Sequence, residues 1–434
     1  MKRLTTSLAA MAAVGALTLT GCSSGGGGEG GDVQLQMVET LTNPARSAVL
    51  KELIAGFEEE NPGITVELVS PPTEQALTTV QQMLQAGNGV DVLEVQDSTV
   101  GPFTANKWIY DMNADLEGWD GWDALTENAK KFANPDGPTH MMPYGFYGLS
   151  LFYRTDMIEE AGFDEPPHSW EDLVEIASAV NDPASNQYGY AFRGGTNGNS
   201  NAAAIITAYA ADLIDPEDAF RLADGSGTVF STDEAQQAMD DYLELFKNGS
   251  PPSSIAWGYP EMVQGFSSGS TAFLLQDPEV IATIRDDSTL TEDQWSTTPL
   301  LVGPSGKAAQ PIATAGWGIA ESSEHKEEAI KLIKYLASGD APLTFAKGNS
   351  LVPILTSAAD DPFFSEGPWA TYVEMNEDPD TYLNVAQPRG VAWWTEWGEK
   401  ADRELQQVLL GEMTTQDLLA EWDAYWSEKY ASEE

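Results

Sequence analysis

Residues 33–69 read VQLQMVETLTNPARSAVLKELIAGFEEENPGITVELV, and the order of elements in them decides the fold. Val33–Glu39 alternates apolar and polar residues, the period of a strand. Val49, Leu50, Leu53, Ile54 and Phe57 then recur at helical spacing and predict one buried face. Asn61-Pro62-Gly63 stops that helix, and Ile64–Val69 is a second strand. Beyond it, Ala76–Leu84 predicts a helix closed by Gly87-Asn88-Gly89, and Asp91–Val95 a third strand. Strand and helix in alternation specify an α/β fold, a parallel sheet with helices on its faces. Such sheets bind ligands beyond the carboxyl ends of their strands. Here those ends carry Glu39, Asn43 and Arg46 after the first strand, and Gln96 and Asp97 after the third.

Upstream, Lys2 and Arg3 precede an apolar stretch from Leu4 to Leu19, and Leu19-Thr20-Gly21 leads into Cys22, the only cysteine of the 434 residues. The stretch is too short for a stable membrane span and reads as a secretory signal, residues 1–21. Gly-Cys at its end matches a lipobox, in which the thiol takes a diacylglyceryl group and cleavage leaves Cys22 as residue one. Residues 22–31 are mostly Gly and Ser, a flexible tether. The protein is therefore expected to be exported and lipid-anchored, either on the outer face of the cytoplasmic membrane or in a periplasm.

The remaining 434 − 21 = 413 residues suffice for two or three domains. Packing alone must stabilise them, since no cysteine is left for a disulfide. The chain carries 68 acidic and 21 basic residues, a net charge of −47 that becomes −49 once Lys2 and Arg3 are removed. Nucleic acid requires a basic surface and is excluded as a partner. Adhesion to anionic lipid by charge is excluded on the same ground.

Downstream, a second α/β region runs from about residue 149 to 304. Helices are expected at Trp170–Val180, Ala235–Phe246 and around Val280, and strands at Tyr188–Phe192 and Thr271–Leu275. Ile312–Ala320 is a strand containing Gly316-Trp317-Gly318. The helix Glu327–Leu336 follows, and two amphipathic helices, around Arg403–Leu410 and Gln416–Trp426, close the chain.

Several stretches, in order, carry a resemblance. They are the opening unit through Phe57-Glu58-Glu59-Glu60-Asn61-Pro62-Gly63-Ile64, then Met142-Pro143-Tyr144-Gly145-Phe146-Tyr147-Gly148, and Leu151-Phe152-Tyr153-Arg154-Thr155-Asp156-Met157. Pro166-Pro167-His168-Ser169-Trp170-Glu171-Asp172-Leu173, Gly265–Phe273, Ala315–Leu336 and Thr414-Thr415-Gln416-Asp417 complete the set. Together they resemble the extracellular solute-binding proteins of ABC importers, in the carbohydrate-binding family that includes maltose-binding proteins.

The resemblance implies a two-lobe, type II periplasmic-binding-protein-like fold. Each lobe is a mostly parallel sheet flanked by helices, and a sugar is held between the lobes. It places lobe 1 at 32–142 plus 316–347, lobe 2 at 149–309 plus 354–434, and hinge crossings near 143–149, 310–315 and 348–353. It implies closure on the ligand, membrane-embedded ABC permease subunits as partners, a monomer, no cofactor and no metal.

A sugar needs polar partners for its hydroxyls and aromatic planes for its ring faces. Asp97 and Asp277 end strands, where carboxylates can accept from hydroxyls. Tyr144 and Tyr147 lie in the first crossing, and Tyr147 is at a position where the family places a ligand contact. Arg193 opens the loop to Asn197, and Arg389 follows Pro388, the reverse of the family's order. Trp170, Trp422 and Trp426 read as packing. Trp317, in its Gly-Trp-Gly, matches a family position and is expected to contact the ligand, the alternative being core packing. Trp393, Trp394 and Trp397 cannot all face the cleft, because adjacent helical residues diverge by about 100°. Trp257 and Tyr259 are cleft wall or loop anchor.

Three motifs point elsewhere and fail on context. Gly265-Phe266-Ser267-Ser268-Gly269 fits G-x-S-x-G, but a helix precedes it and a strand follows, the reverse of a nucleophile elbow. Asp111, Asn113 and Asp115 open like a calcium loop, yet Leu116 and Trp122 stand where Gly and Glu are needed. His140, His168 and His325 are isolated, with no cysteine beside them. Two alternatives to a sugar receptor remain. One is a secreted glycoside hydrolase, for which acidic residues and tryptophans are plentiful. The other is a receptor for a charged solute: converging Arg46, Arg193 and Arg389 would suit a glycerol-phosphate, and an all-carboxylate cleft a polyamine.

Overall fold

A computed structural model describes residues 32–42, 44–133, 137–391 and 393–433. Cys22, its tether and Asn43 lie outside the described residues. Two main sheets organise the chain. The first has the spatial order Ile64–Val69, Val33–Val38, Val92–Gln96, Ala313–Ile319, Met142–Tyr147. Its first three strands are parallel, as their alternation with helices predicts. Ala313–Ile319 enters antiparallel to both its neighbours, so four of the five strands share one direction. The second sheet has the order Trp295–Thr298, Ser150–Arg154, Thr271–Gln276, Tyr188–Tyr190. There Ser150–Arg154 is the reversed strand, antiparallel to both neighbours, and Tyr188–Tyr190 pairs parallel with Thr271–Gln276. Each sheet is thus mostly parallel, with one reversed strand placed one position in from an edge.

The chain passes from sheet to sheet between Tyr147 and Ser150, and back between Thr298 and Ala313. Much of what reads in sequence as crossing is strand: Met142–Tyr147 and Ala313–Ile319 both belong to the first sheet. Near the third expected crossing, Val352 bridges to Phe146 and extends that sheet's edge.

Local chemistry explains the elements. Pro44–Glu60 buries Leu50, Leu53, Ile54 and Phe57 and leaves Val49 half-buried. Trp170–Val180 starts at a reciprocal capping pair: Ser169 Oγ accepts from the Asp172 amide at 3.1 Å, and the Ser169 amide donates to Asp172 Oδ2 at 2.9 Å. Trp394–Leu409 and Thr415–Glu433 are longer than the apolar pattern predicts, and they bury Trp397, Trp422 and Trp426 against Phe220 and Phe230. Trp170, Trp422 and Trp426 are core, as their helical spacing predicts. Ser267 ends the helix Tyr259–Ser267, with its strand following, the order read from sequence.

Candidate ligand-binding cleft

Glu94 sits in the middle of an apolar strand, wholly enclosed. Its Oε2 accepts from the Thr40 amide and hydroxyl and from the Leu41 amide. Its Oε1 accepts from Arg46 Nη2 at 2.5 Å and from the Tyr144 hydroxyl. Burial opposes ionisation, but Arg46, the Tyr144 hydroxyl and the two amides hold the Glu94 carboxyl below its ordinary range. The Arg46 guanidinium lies 4.8 Å from the ring centres of both Tyr144 and Phe345. Glu39 is also buried, and its Oε1 accepts from the Ser47 and Ser70 hydroxyls. Glu39, Arg46 and Tyr144, expected as ligand contacts, thus form a buried floor whose hydrogen bonds run largely inward.

Trp317 requires a correction. It is 2% exposed, with its ring centre 5.2 Å from Tyr144 and 6.2 Å from Phe345. A sugar platform needs an open face, and this ring is enclosed on the strand beside Glu94. Its place is core packing under the floor.

Above the floor lie half-buried groups from both sheets. Gln96 Nε2 donates to the Thr40 hydroxyl at 3.3 Å. Asp97 accepts from the Ser98 amide at 2.7 Å; burial raises its pKa and the nearby Arg389 opposes the rise. Arg389 itself donates twice to Gln387 Oε1, at 3.0 and 2.8 Å. From the second sheet come Asp277 and Glu279, just past the strand Thr271–Gln276. Burial, then repulsion from Glu279, pushes the Asp277 carboxyl up to about 7. Asp277 keeps some open surface and Glu279 is exposed, so both lie among protein atoms yet face solvent, as groups in a cleft do. Burial lowers the Arg193 pKa, and Asp402, Tyr242, Tyr259 and Asp277 counter it.

The two groups meet. The field of Arg46, on the helix Pro44–Glu60 that follows the first strand, reaches Glu279, at the start of the helix Glu279–Asp287 beyond the second sheet. Tyr147 lies between them: burial raises its hydroxyl pKa, and Arg46, Glu279 and Glu94 all act on it. That hydroxyl is enclosed near Tyr144 without a hydrogen bond of good geometry.

Other expected residues stand apart. Asn197 is exposed, with φ 61°, and its amide donates to Asp402 Oδ2 at 2.7 Å. Trp257 packs on Gly265 and borders a shallow depression with Pro260, Gln264 and Ser268. Trp394 stacks on Phe220 at 6.1 Å, and the Trp393 ring lies 5.5 Å from Lys429 Nζ. Both rings are half-buried. The carboxylates that open the calcium-like stretch serve local structure: Asp111 accepts from the Asn113 and Thr139 amides and Asp115 from the Tyr110 hydroxyl. A cavity of about 380 Å³ lined by Val352, Leu355, Phe364, Trp369 and Tyr372 contains none of the charged groups above.

Sequence reasoning missed Glu94 and Glu279. The signal for Glu94 was a lone charge inside the apolar run Val92–Val95. For Glu279 it was a second carboxylate two residues after Asp277 at the same strand end.

Comparison with known proteins places this arrangement. An ABC transporter periplasmic-binding protein of Escherichia coli strain K12 is 23% identical over 322 residues, 71% of this chain and 70% of that protein. The mannitol-binding protein of Pseudomonas aeruginosa is 27% identical over 252 residues, 55% of this chain and 54% of that one. The structure of maltose-bound MalE3 of T. maritima superposes with a TM-score of 0.72 at 23% identity, covering 89% of this chain and 97% of that chain. That likeness establishes the two-lobe fold. Residues 42–341, well over half of the chain, match the model of one family, and the chain therefore belongs to the bacterial extracellular solute-binding proteins.

Proposed function

We propose that the protein is the lipid-anchored receptor of an ABC importer, that it holds a carbohydrate between its lobes, and that it hands the sugar to membrane-embedded permease subunits. It acts as a monomer and without catalysis. The observation that carries this reading is that polar groups of the two sides act on one another: Arg389 on Asp97, Arg46 on Glu279, and both Arg46 and Glu279 on Tyr147. These groups accept from and donate to hydroxyls, and tyrosines stand between them. Related proteins named for mannitol and maltose fit the same chemistry. The lobes are 32–142 plus 316–347 and 149–309 plus 354–434, and closure brings their carboxylates onto the sugar. Asn43 and one of Trp393 and Trp394 also contact the sugar in this reading, and Cys22 carries the lipid.

A phosphate-bearing solute fits less well. Arg46 is bound to Glu94, Arg389 acts on Asp97, and Arg193 on Asp402 and Asp277, so each of these three arginines already has a carboxylate near it.

Thermal denaturation across a panel of oligosaccharides, monosaccharides and polyols tests the reading. A ligand present at about 100 times its Kd adds about 2.7 kcal/mol and raises Tm. No rise with any sugar or polyol would overturn it, and turnover of a bound oligosaccharide would favour a hydrolase. Cys22→Ala should release the protein from washed membranes; retention there would remove the anchor.

A further inference from the structure

The cleft holds more negative than positive charge, and two of its carboxylates lack both an ion pair and a full set of donors among the described residues. Three arginines, Arg46, Arg193 and Arg389, face five carboxylates: Glu94, Asp97, Asp277, Glu279 and Asp402. Glu94 is neutralised by direct contact with Arg46, both side chains being almost wholly buried. Asp97 has Arg389 beside it. Asp402 is occupied by the Asn197 amide and by both nitrogens of Asn199.

Asp277 and Glu279 differ. The carboxylate of Asp277 accepts one hydrogen bond, from the Glu279 amide to Oδ1 at 3.1 Å, at the first residue of the helix Glu279–Asp287. That bond accounts for one oxygen of the pair. The other three have no donor among the described residues, and neither carboxylate forms an ion pair there. Both keep accessible surface. Tyr259 feels both charges, and the enclosed Tyr147 hydroxyl, without a well-formed hydrogen bond, lies in the field of Glu279 and Arg46.

We infer that the ligand is an amino sugar or an amino-polyol whose protonated amine sits against Asp277 and Glu279, while its hydroxyls use Gln96, Asp97 and Tyr147. This inference rests on the carbohydrate reading above. Hydroxyls alone satisfy the lone pairs of a carboxylate pair and leave its charge uncompensated when the lobes exclude water. An ammonium group satisfies both, and the hydroxyls of Tyr259 and Tyr147, within the field of the pair, can accept from it. The upward-shifted Asp277 carboxyl agrees: burial and Glu279 outweigh the pull of Arg193, which Asp402 shares, so the empty pair resists full ionisation.

Isothermal titration of the full-length, detergent-solubilised protein at pH 7 tests this with matched probes. The pairs are D-glucose with D-glucosamine, D-galactose with D-galactosamine, and cellobiose with fully deacetylated chitobiose; N-acetylated chitobiose masks the amine. In the pairs that bind, the amine member should bind about tenfold tighter or better, a difference of about 1.4 kcal/mol. Acetylation should abolish the advantage, and 1 M salt should reduce it. Glu279→Gln, at an exposed helix start, and Asp277→Asn should each shrink the amine-to-hydroxyl affinity ratio, with circular dichroism verifying the fold. Neutral members that bind as tightly as their amines would overturn the inference and leave the carbohydrate reading standing. An unchanged ratio in both variants would also overturn it. Failure of every probe, together with the saccharide panel, would bring down the carbohydrate reading and the inference with it.

Discussion

Glu94 is a charge inside an apolar strand, and five hydrogen bonds explain how it stays there. An isolated buried carboxylate would cost several kcal/mol, and Arg46 alone would not recover that without the hydroxyl and amide donors around it. Trp317 closes the same floor from its strand. Trp317→Ala should therefore lower the stability of the ligand-free protein by about 3–5 kcal/mol, read as a fall in Tm or in the denaturant midpoint. Ligand-free stability equal to wild type would refute the packing role. Asp277 gives a pH signature of opposite sign to most carboxylates. Its neighbours are Glu279, Arg193, Tyr259 and Tyr372. Its folded pKa is raised, so between about pH 4 and about pH 7 the folded state binds more protons than the unfolded one. Stability is full below that window and falls as pH rises through it. Asp277→Asn should flatten that decline in denaturation measured from pH 4 to 8; an identical slope would remove Asp277 as its source.

At the scale of elements, the reversed strand Ala313–Ile319 is the least replaceable piece of the first sheet. It joins Val92–Gln96 to Met142–Tyr147, and its register with the latter shifts between Ala315 and Gly316. A Cβ on Gly316 would come 2.1 Å from the Met142 carbonyl oxygen and 2.6 Å from its carbon. Both are backbone atoms, so the strands must part to admit even a methyl group. Gly316→Ala should cost about 1–3 kcal/mol and speed amide exchange in Ala313–Ile319 and Met142–Tyr147. Wild-type stability and exchange would show that the sheet accommodates the methyl elsewhere.

Over the whole molecule, each sheet presents carboxylates beyond its strand ends, and charges of the two sides act on one another, Arg46 on Glu279 and Arg389 on Asp97. In the proposed reading a sugar hydrogen-bonds both sides only when the lobes approach, so binding should shift the population toward the closed form. Small-angle scattering at saturating sugar should give a smaller radius of gyration than the ligand-free protein. An unchanged radius would count against hinge closure.

The alternation in residues 33–96 was enough to determine the first three strands, their parallel order and the helices between them, because period-2 and period-3.6 apolar patterns are local properties of the chain. Charge excluded nucleic acid as a partner by composition, and the Leu19–Cys22 spacing carries an expectation of lipid anchoring on residues outside the described ones. The position of Asp97 and Asp277 at strand ends was legible for the same local reason. The tertiary structure alone decided that Ala313–Ile319 runs backward into the first sheet, that Trp317 is enclosed, and that Arg46 belongs to Glu94. None of these has a local signature. Residues 46 and 94 are 48 positions apart, and 94 and 317 pair only because a strand from far along the chain inserts beside the third. Whether an arginine meets a ligand or a buried carboxylate, and whether a tryptophan is platform or core, depends on which side chains the fold brings against it, and a pattern along the chain does not carry that information.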